Sequence, residues 1–318
     1  MKKTIALLLF LALLLTAALP AWAEDAASRR ITLSGKAEET FTAEQNCYAE
    51  GERALVFIQK GLTLPCDVIT TVEGAMAELE AATGLSFDTR WSISHTNNYE
   101  ILYEEDVFGN VNPDGGKIEV LVAALPGWSP WATENSAIID VIDLVGDDKL
   151  ALYHELAHVL YLRNAADLGL CLDEGLATWT VDQIFRRTGI PCYTTDWYMS
   201  DVDFDTALIT GGEDSFSINF ENSDDNYRYG YRFVTFLVET YGKEIIPGLL
   251  KAVTDSGFDS SYGEDEAADR KADSEQMKTI LRTLCGEDVF ERFAKWHESE
   301  MPRVREEYRD YMQALDAA

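Results

Sequence analysis

The pentapeptide His154-Glu155-Leu156-Ala157-His158 constrains this chain more than any other stretch. Around it Leu152, Leu156, Val159 and Leu160 recur at helical spacing, so residues 150–162 are expected to form a buried or half-buried α-helix. On a helix, side chains four positions apart project from one face, one turn apart. The two imidazoles can therefore reach a single metal ion, and the chain has only four histidines in all. Neutral imidazole suits Zn²⁺, with ligand distances of about 2.0–2.1 Å. Glu155 lies beside this face without being drawn into the ligand set, where it can take a proton from water at the metal. The competing reading is a helix with two incidental histidines and a surface glutamate.

A catalytic zinc usually has three protein ligands and one open position, so a third donor is needed. The next segment is Cys171-Leu172-Asp173-Glu174-Gly175-Leu176-Ala177-Thr178. Asp173 reads as a helix N-cap with Glu174 in the first turn. Leu176, Ala177, Thr180, Val181, Ile184 and Phe185 continue an apolar face, and Arg186, Arg187, Gly189 and Pro191 supply the stop. The expectation is two antiparallel helices joined by a turn near 164–169, with Glu174 returning to the metal. Gly175 beside it would let the two helices approach closely. The alternative is that Glu174 is only a first-turn acid favoured by the helix dipole.

His154, Glu155, His158 and the element Glu174-Gly175-Leu176-Ala177 together resemble the gluzincin metallopeptidases, in particular the peptidase-MA-like group of secreted bacterial proteins. The aromatic stretch 227–242, beginning Tyr227-Arg228-Tyr229-Gly230-Tyr231, is similar to the helix that follows the metal helices in that group. The matches cover roughly residues 121–242. The resemblance implies an α+β, zincin-like fold. A leader (1–23) would precede an N-terminal lobe with a mixed sheet (24–146) and a mainly helical catalytic lobe (147–318), with the active-site cleft between the lobes. It implies one Zn²⁺ held by His154, His158 and Glu174, Glu155 as general base, and a peptide or protein substrate. By the same resemblance, 135–139 is an edge strand that could pair with a substrate backbone, set against a fully paired core strand. Zinc peptidases also need a donor for the oxyanion. Tyr227 and Tyr231 are the candidates, Tyr227 ahead for its Tyr-x-x-Gly context, against plain aromatic packing.

The departures matter. Thermolysin-like members carry an aspartate where this chain has Thr178, so no carboxylate partner for a metal histidine is identified. No third histidine follows before His297, as metzincins would require. Of the G-x-M-E-N pattern of gluzincin aminopeptidases, Trp131-Ala132-Thr133-Glu134-Asn135 keeps the last two residues. Glu134 is thus a candidate anchor for a substrate amino terminus, or part of a polar loop, and endopeptidase action is favoured over aminopeptidase action. Two further readings stay open: an extracellular binding protein on a peptidase scaffold, and a zinc hydrolase of a non-peptide bond.

Residues 1–23 have Lys2 and Lys3, an apolar run and an Ala21-Trp22-Ala23 ending, which reads as a signal peptide cleaved near Ala23. The expected location is secreted or cell-envelope. Losing those two lysines takes the formal net charge from −30 to −32. So acidic a chain should repel nucleic acid and anionic membrane surface. No later stretch reads as a membrane span. Five cysteines follow, at 47, 66, 171, 192 and 285. Cys47 and Cys66 could bridge; Cys171 and Cys192 would be held apart by the intervening helix.

Elsewhere, strands are expected at 54–58, 118–125 and 137–144, a strand or hairpin at 91–107, a helix at 67–82 and a turn at 112–116. Residues 193–226 read as loop that covers the cleft or lies on the surface. Residues 226–241 read as an amphipathic helix, 256–275 as an acidic loop, and 274–284, 289–298 and 303–315 as three short helices. His95 and His297 read as surface residues.

Overall fold

The computed structural model describes residues 29–34, 40–59, 61–89, 100–103, 116–124, 130–133, 135–145, 149–165, 167–258, 260 and 266–317. The leader, the turn at 112–115, His95, Glu134 and the side chain of Cys47 lie outside that set.

The N-terminal lobe is a seven-stranded sheet in the order β4-β1-β2-β3-β5-β7-β6. Its strands are β1 (Arg29–Ser34), β2 (Thr40–Glu50), β3 (Ala54–Gln59), β4 (Glu100–Tyr103), β5 (Ile118–Ala123), β6 (Trp131–Ala132) and β7 (Ser136–Asp140). The parallel trio β3, β5 and β7 forms the centre of the site-bearing half. These strands are near-continuous apolar runs because both faces are covered. Helix α1 (Val68–Thr83) packs on them through Val68, Val72, Met76 and Leu79. Asp67 caps it by accepting from the Thr70 amide, and Gly84 stops it in the left-handed region at φ 76°.

Strand β7 ends sooner than expected. The Asp140 side chain accepts from the Ile142 amide, and Asp143 accepts from the Asp140 amide, so the chain turns into a short 3₁₀ segment, Val141–Leu144. Nor is β7 the sheet edge. Residues 131–132 fold back through a turn closed by the Thr133 amide on the Ser136 carbonyl, at 2.8 Å, and pair with Ala137 and Ile138. Of the edge and core readings of 135–139, the structure supports the core one, with neighbours on both sides at Ala137 and Ile138, and the outer strand is β6.

The C-terminal lobe is helical: α2 (Leu150–Asn164), α3 (Leu170–Thr188), α4 (Thr194–Met199), α5 (Ala207–Thr210), α6 (Ser223–Tyr241), α7 (Ile245–Ser256), α8 (Glu266–Cys285) and α9 (Val289–Asp316), with a 3₁₀ turn at Gly212–Ser215. Helix α2 is apolar around most of its girth, which fits its place between the sheet, α1 and α3. Its far end is pinned to the sheet, where Arg163 donates to the Asn135 side chain at 2.9 Å and to the Phe87 carbonyl.

Three expectations for this lobe are corrected. Helix α8 starts at Glu266, inside the stretch read as loop, because Glu, Ala, Arg and Lys are good helix formers whatever their charge. Helix α9 runs unbroken through Pro302 in place of two short helices. Phe290, Phe293, Trp296, Met301, Val304 and Tyr308 keep one face buried along its length, while Pro302 is exposed where water can meet the freed carbonyl. Residues 193–222 are also more ordered than a plain loop, forming α4, α5 and a 3₁₀ turn. Cys66 is a free thiol that accepts from Thr71 and contacts the Leu144 carbonyl, so it is not bridged to Cys47. Cys171, Cys192 and Cys285 are free and buried.

Candidate metal centre

His154 and His158 stand one turn apart on α2, and the fifth residue of α3, Glu174, faces them. The donor atoms converge. His154 Nε2 is 3.0 Å from Glu174 Oε2 and 3.0 Å from His158 Nε2, and His158 Nε2 is 3.4 Å from Glu174 Oε2. Donors at tetrahedral zinc distances would be separated by about 3.3–3.5 Å. One proton can bridge only one of these contacts at a time, whereas a divalent cation satisfies all three. His154 and Glu174 are buried, at 8% and 7% exposure. The three residues thus form one site per chain whose chemistry and spacing suit a single Zn²⁺.

The local folding of α3 differs from expectation. Gly169, not Asp173, is the N-cap, at φ 84°; a side chain there would collide with Ile218. The amide of Cys171 is met by the Ile218 carbonyl at 2.8 Å, which replaces a side-chain cap. Asp173 lies inside the first turn, and burial together with neighbouring Asp167 pushes its carboxyl well above the usual range.

Gly175 does permit a close approach, but to a different helix. A Cβ on Gly175 would lie 2.5 Å from the Gly230 carbonyl carbon, and one on Gly230 would lie 2.0 Å from the Cys171 carbonyl oxygen. So α3 and α6 cross glycine to glycine. This crossing brings Tyr227, one turn before Gly230, over the metal cluster. Its ring stacks on the His154 imidazole, with centroids 6.3 Å apart and planes at 21°. Burial, then the adjacent Glu174 carboxylate, raises the Tyr227 hydroxyl above its ordinary pKa, so it stays protonated. Tyr231 is spent elsewhere: its hydroxyl donates to buried Asp182 at 3.1 Å. Asp182 also accepts from Arg186 and Thr195, tying α3 to α4 and α6.

Electrostatics separate the two glutamates. Although burial alone would raise Glu174, His158 and His154 hold its carboxyl well below the usual range. Burial, with Glu174 and Asp143 nearby and His154 opposing, pushes Glu155 up to about 8. One glutamate is thus electrostatically matched to cations, and the other has affinity for a proton. Thr178 turns its hydroxyl back to the Glu174 carbonyl at 2.6 Å, so it does not orient a metal histidine. Asp143 and Trp197, both beside the site, carried no recognisable signal in the sequence. Gly230 did, as the glycine of Tyr-x-x-Gly.

No family model matches the chain, and no curated protein does. Among solved structures it is similar to a variant of an M1 zinc metallopeptidase from Deinococcus radiodurans, at 14% identity and TM-score 0.51, over 85% of this chain. The unaltered M1 zinc metallopeptidase from the same organism aligns at 15% identity and TM-score 0.49, again over 85% of this chain. This chain spans 62% and 61% of those two. At such identity the first likeness speaks for the fold alone, a zincin-like architecture of two lobes.

Proposed function

We propose that the protein is a secreted zinc-dependent peptidase whose catalytic lobe is 147–318. The observation that carries this reading is the convergence of His154, His158 and Glu174 within tetrahedral donor spacing, with Glu155 buried beside them. The fold shared with a zinc metallopeptidase supports it. When bound, zinc would supply Lewis acidity toward a carbonyl and lower the pKa of water. Glu155 takes a proton from water and returns it to the leaving amine; its elevated proton affinity suits both steps. Tyr227, protonated and stacked on His154, donates to the substrate carbonyl oxygen as negative charge builds there. Only Glu134 and Asn135 remain of the aminopeptidase pattern, which favours endopeptidase cleavage. Export follows from the residue pattern of 1–23, and amino-terminal sequencing of the exported protein should begin at Glu24.

The test is a peptide-library digest, with and without chelator, using peptides with free and blocked amino termini. Chelator-sensitive cutting of blocked peptides is expected. Peptides retained but uncut would indicate a binding protein, and inertness toward peptides a hydrolase of another bond.

A further inference from the structure

Tyr227 is in ring contact both with the metal-cluster residue His154 and with Trp197. The Trp197 ring lies 6.5 Å from that of Tyr227, tilted by 55°. Among the described residues the exposed large apolar side chains are Ile142, Leu170, Tyr193, Trp197 and Val202, and Trp197 is 39% exposed. It connects to the metal ligands through a single intervening ring.

The indole is held in place by an expensive arrangement. Arg228 and Arg232, on the same helix as Tyr227, are buried at 2% and 0% exposure. Arg228 donates to the carbonyls of Ser200 and Val202. Arg232 donates to those of Tyr198 and Ser200, at 3.0 and 2.6 Å. Arg305 adds a bond to the Met199 carbonyl at 2.7 Å. The Arg228 guanidinium also sits 5.4 Å from the Trp197 ring centroid, and the Tyr198 ring packs at 5.3 Å. A buried guanidinium is costly unless hydrogen bonds and charge compensate it. Arg232 is also paired with Asp201 at 3.0 Å and with His297 at 3.1 Å, whereas the Arg228 Nε has no hydrogen-bond partner among the described residues. The carbonyls they hold, of Tyr198, Ser200 and Val202, lie at and just after the end of α4, which ties that end to the helix that carries Tyr227. A partly exposed indole is thereby held one ring away from the candidate metal ligands, where it can serve as an apolar wall. The two ring-to-ring steps place the indole no more than about four extended residues from His154.

We infer that Trp197 is the wall of an apolar subsite that selects an aromatic or branched aliphatic side chain close to the scissile bond. The inference rests on the peptidase reading above. The zinc-loaded full chain, Trp197→Ala and Trp197→Phe are given a mixed-sequence peptide library, and cut positions are read by mass spectrometry. The wild type should enrich aromatic and branched aliphatic residues at one position flanking the cut. Trp197→Ala should lower that enrichment about tenfold, and Trp197→Phe should keep most of it. Zinc affinity, measured by competition with a chromogenic chelator, should be equal in all three. Unchanged enrichment in Trp197→Ala overturns the inference, as does a tenfold loss of zinc affinity, which would make the indole a structural prop. If the wild type cuts nothing, the peptidase reading fails on its own. The same library is then passed over immobilised wild type and Trp197→Ala. Selective retention of apolar peptides by the wild type upholds the subsite, and equal retention overturns it.

Discussion

At the scale of single residues, the site divides labour between chemically identical groups. Glu155 and Glu174 are both buried glutamates, yet one is pushed up to about 8 and the other held low, because only Glu174 touches the imidazoles. Glu155→Gln removes a proton acceptor and leaves the three donors in place. It should bind zinc normally while hydrolysis falls by about 10²–10⁴-fold, read by metal analysis beside a peptide assay. Retained hydrolysis would remove Glu155 from the mechanism. His158→Ala should lose both metal and activity, since two donors cannot close a tetrahedral site. Unchanged zinc content in that variant, by equilibrium dialysis, would contradict the ligand assignment. His154 and His158 were legible from the sequence because a helix fixes i and i+4 on one face. Trp197 was not, because its place depends on where buried arginines hold a distant backbone.

At the scale of elements, local signals were read well and long-range ones poorly. The helix expected at 67–82 is found at Val68–Thr83, capped by Asp67 and ended by Gly84, and Gly189 ends α3 in the left-handed region as expected. Asp173 misled because a capping residue is also common inside a first turn, and the true cap, Gly169, answers to Ile218 far along the chain. The break expected between 298 and 303 is absent because Pro302 faces water, which meets the carbonyl its ring frees. Edge and core readings of 135–139 stayed open in the sequence because pairing by a two-residue strand leaves almost no mark in composition. The crossing of α3 and α6 gives a test. Gly175→Ala places a methyl against the Gly230 backbone, which cannot swing aside as a side chain can. Overpacking of this kind costs about 1–3 kcal/mol, so thermal unfolding should shift down measurably. Hydrolysis should fall further than zinc affinity, since the change moves Tyr227 away from the cluster. A variant as stable as the wild type would show that the helices part freely.

At the scale of the whole molecule, α9 braces the catalytic helices through a histidine read from the sequence as a surface residue. His297 lies 3.1 Å from the Arg232 guanidinium, and burial, then that positive charge, lowers it to about 4. Unfolded, it would take up a proton near pH 6.5. Between those values the unfolded chain binds more protons than the folded one, so stability falls as pH drops from about 6.5 to 4. His297→Gln should flatten that part of the melting-temperature profile relative to wild type, with metal content matched. Parallel profiles would mean that the imidazole titrates normally. The glycine crossing beneath this brace has a consequence for anyone diversifying the protein. Positions 175 and 230 behave as one variable: a randomised library that changes either alone should return glycine after selection. Other residues can surface only when both are varied together with the helix spacing.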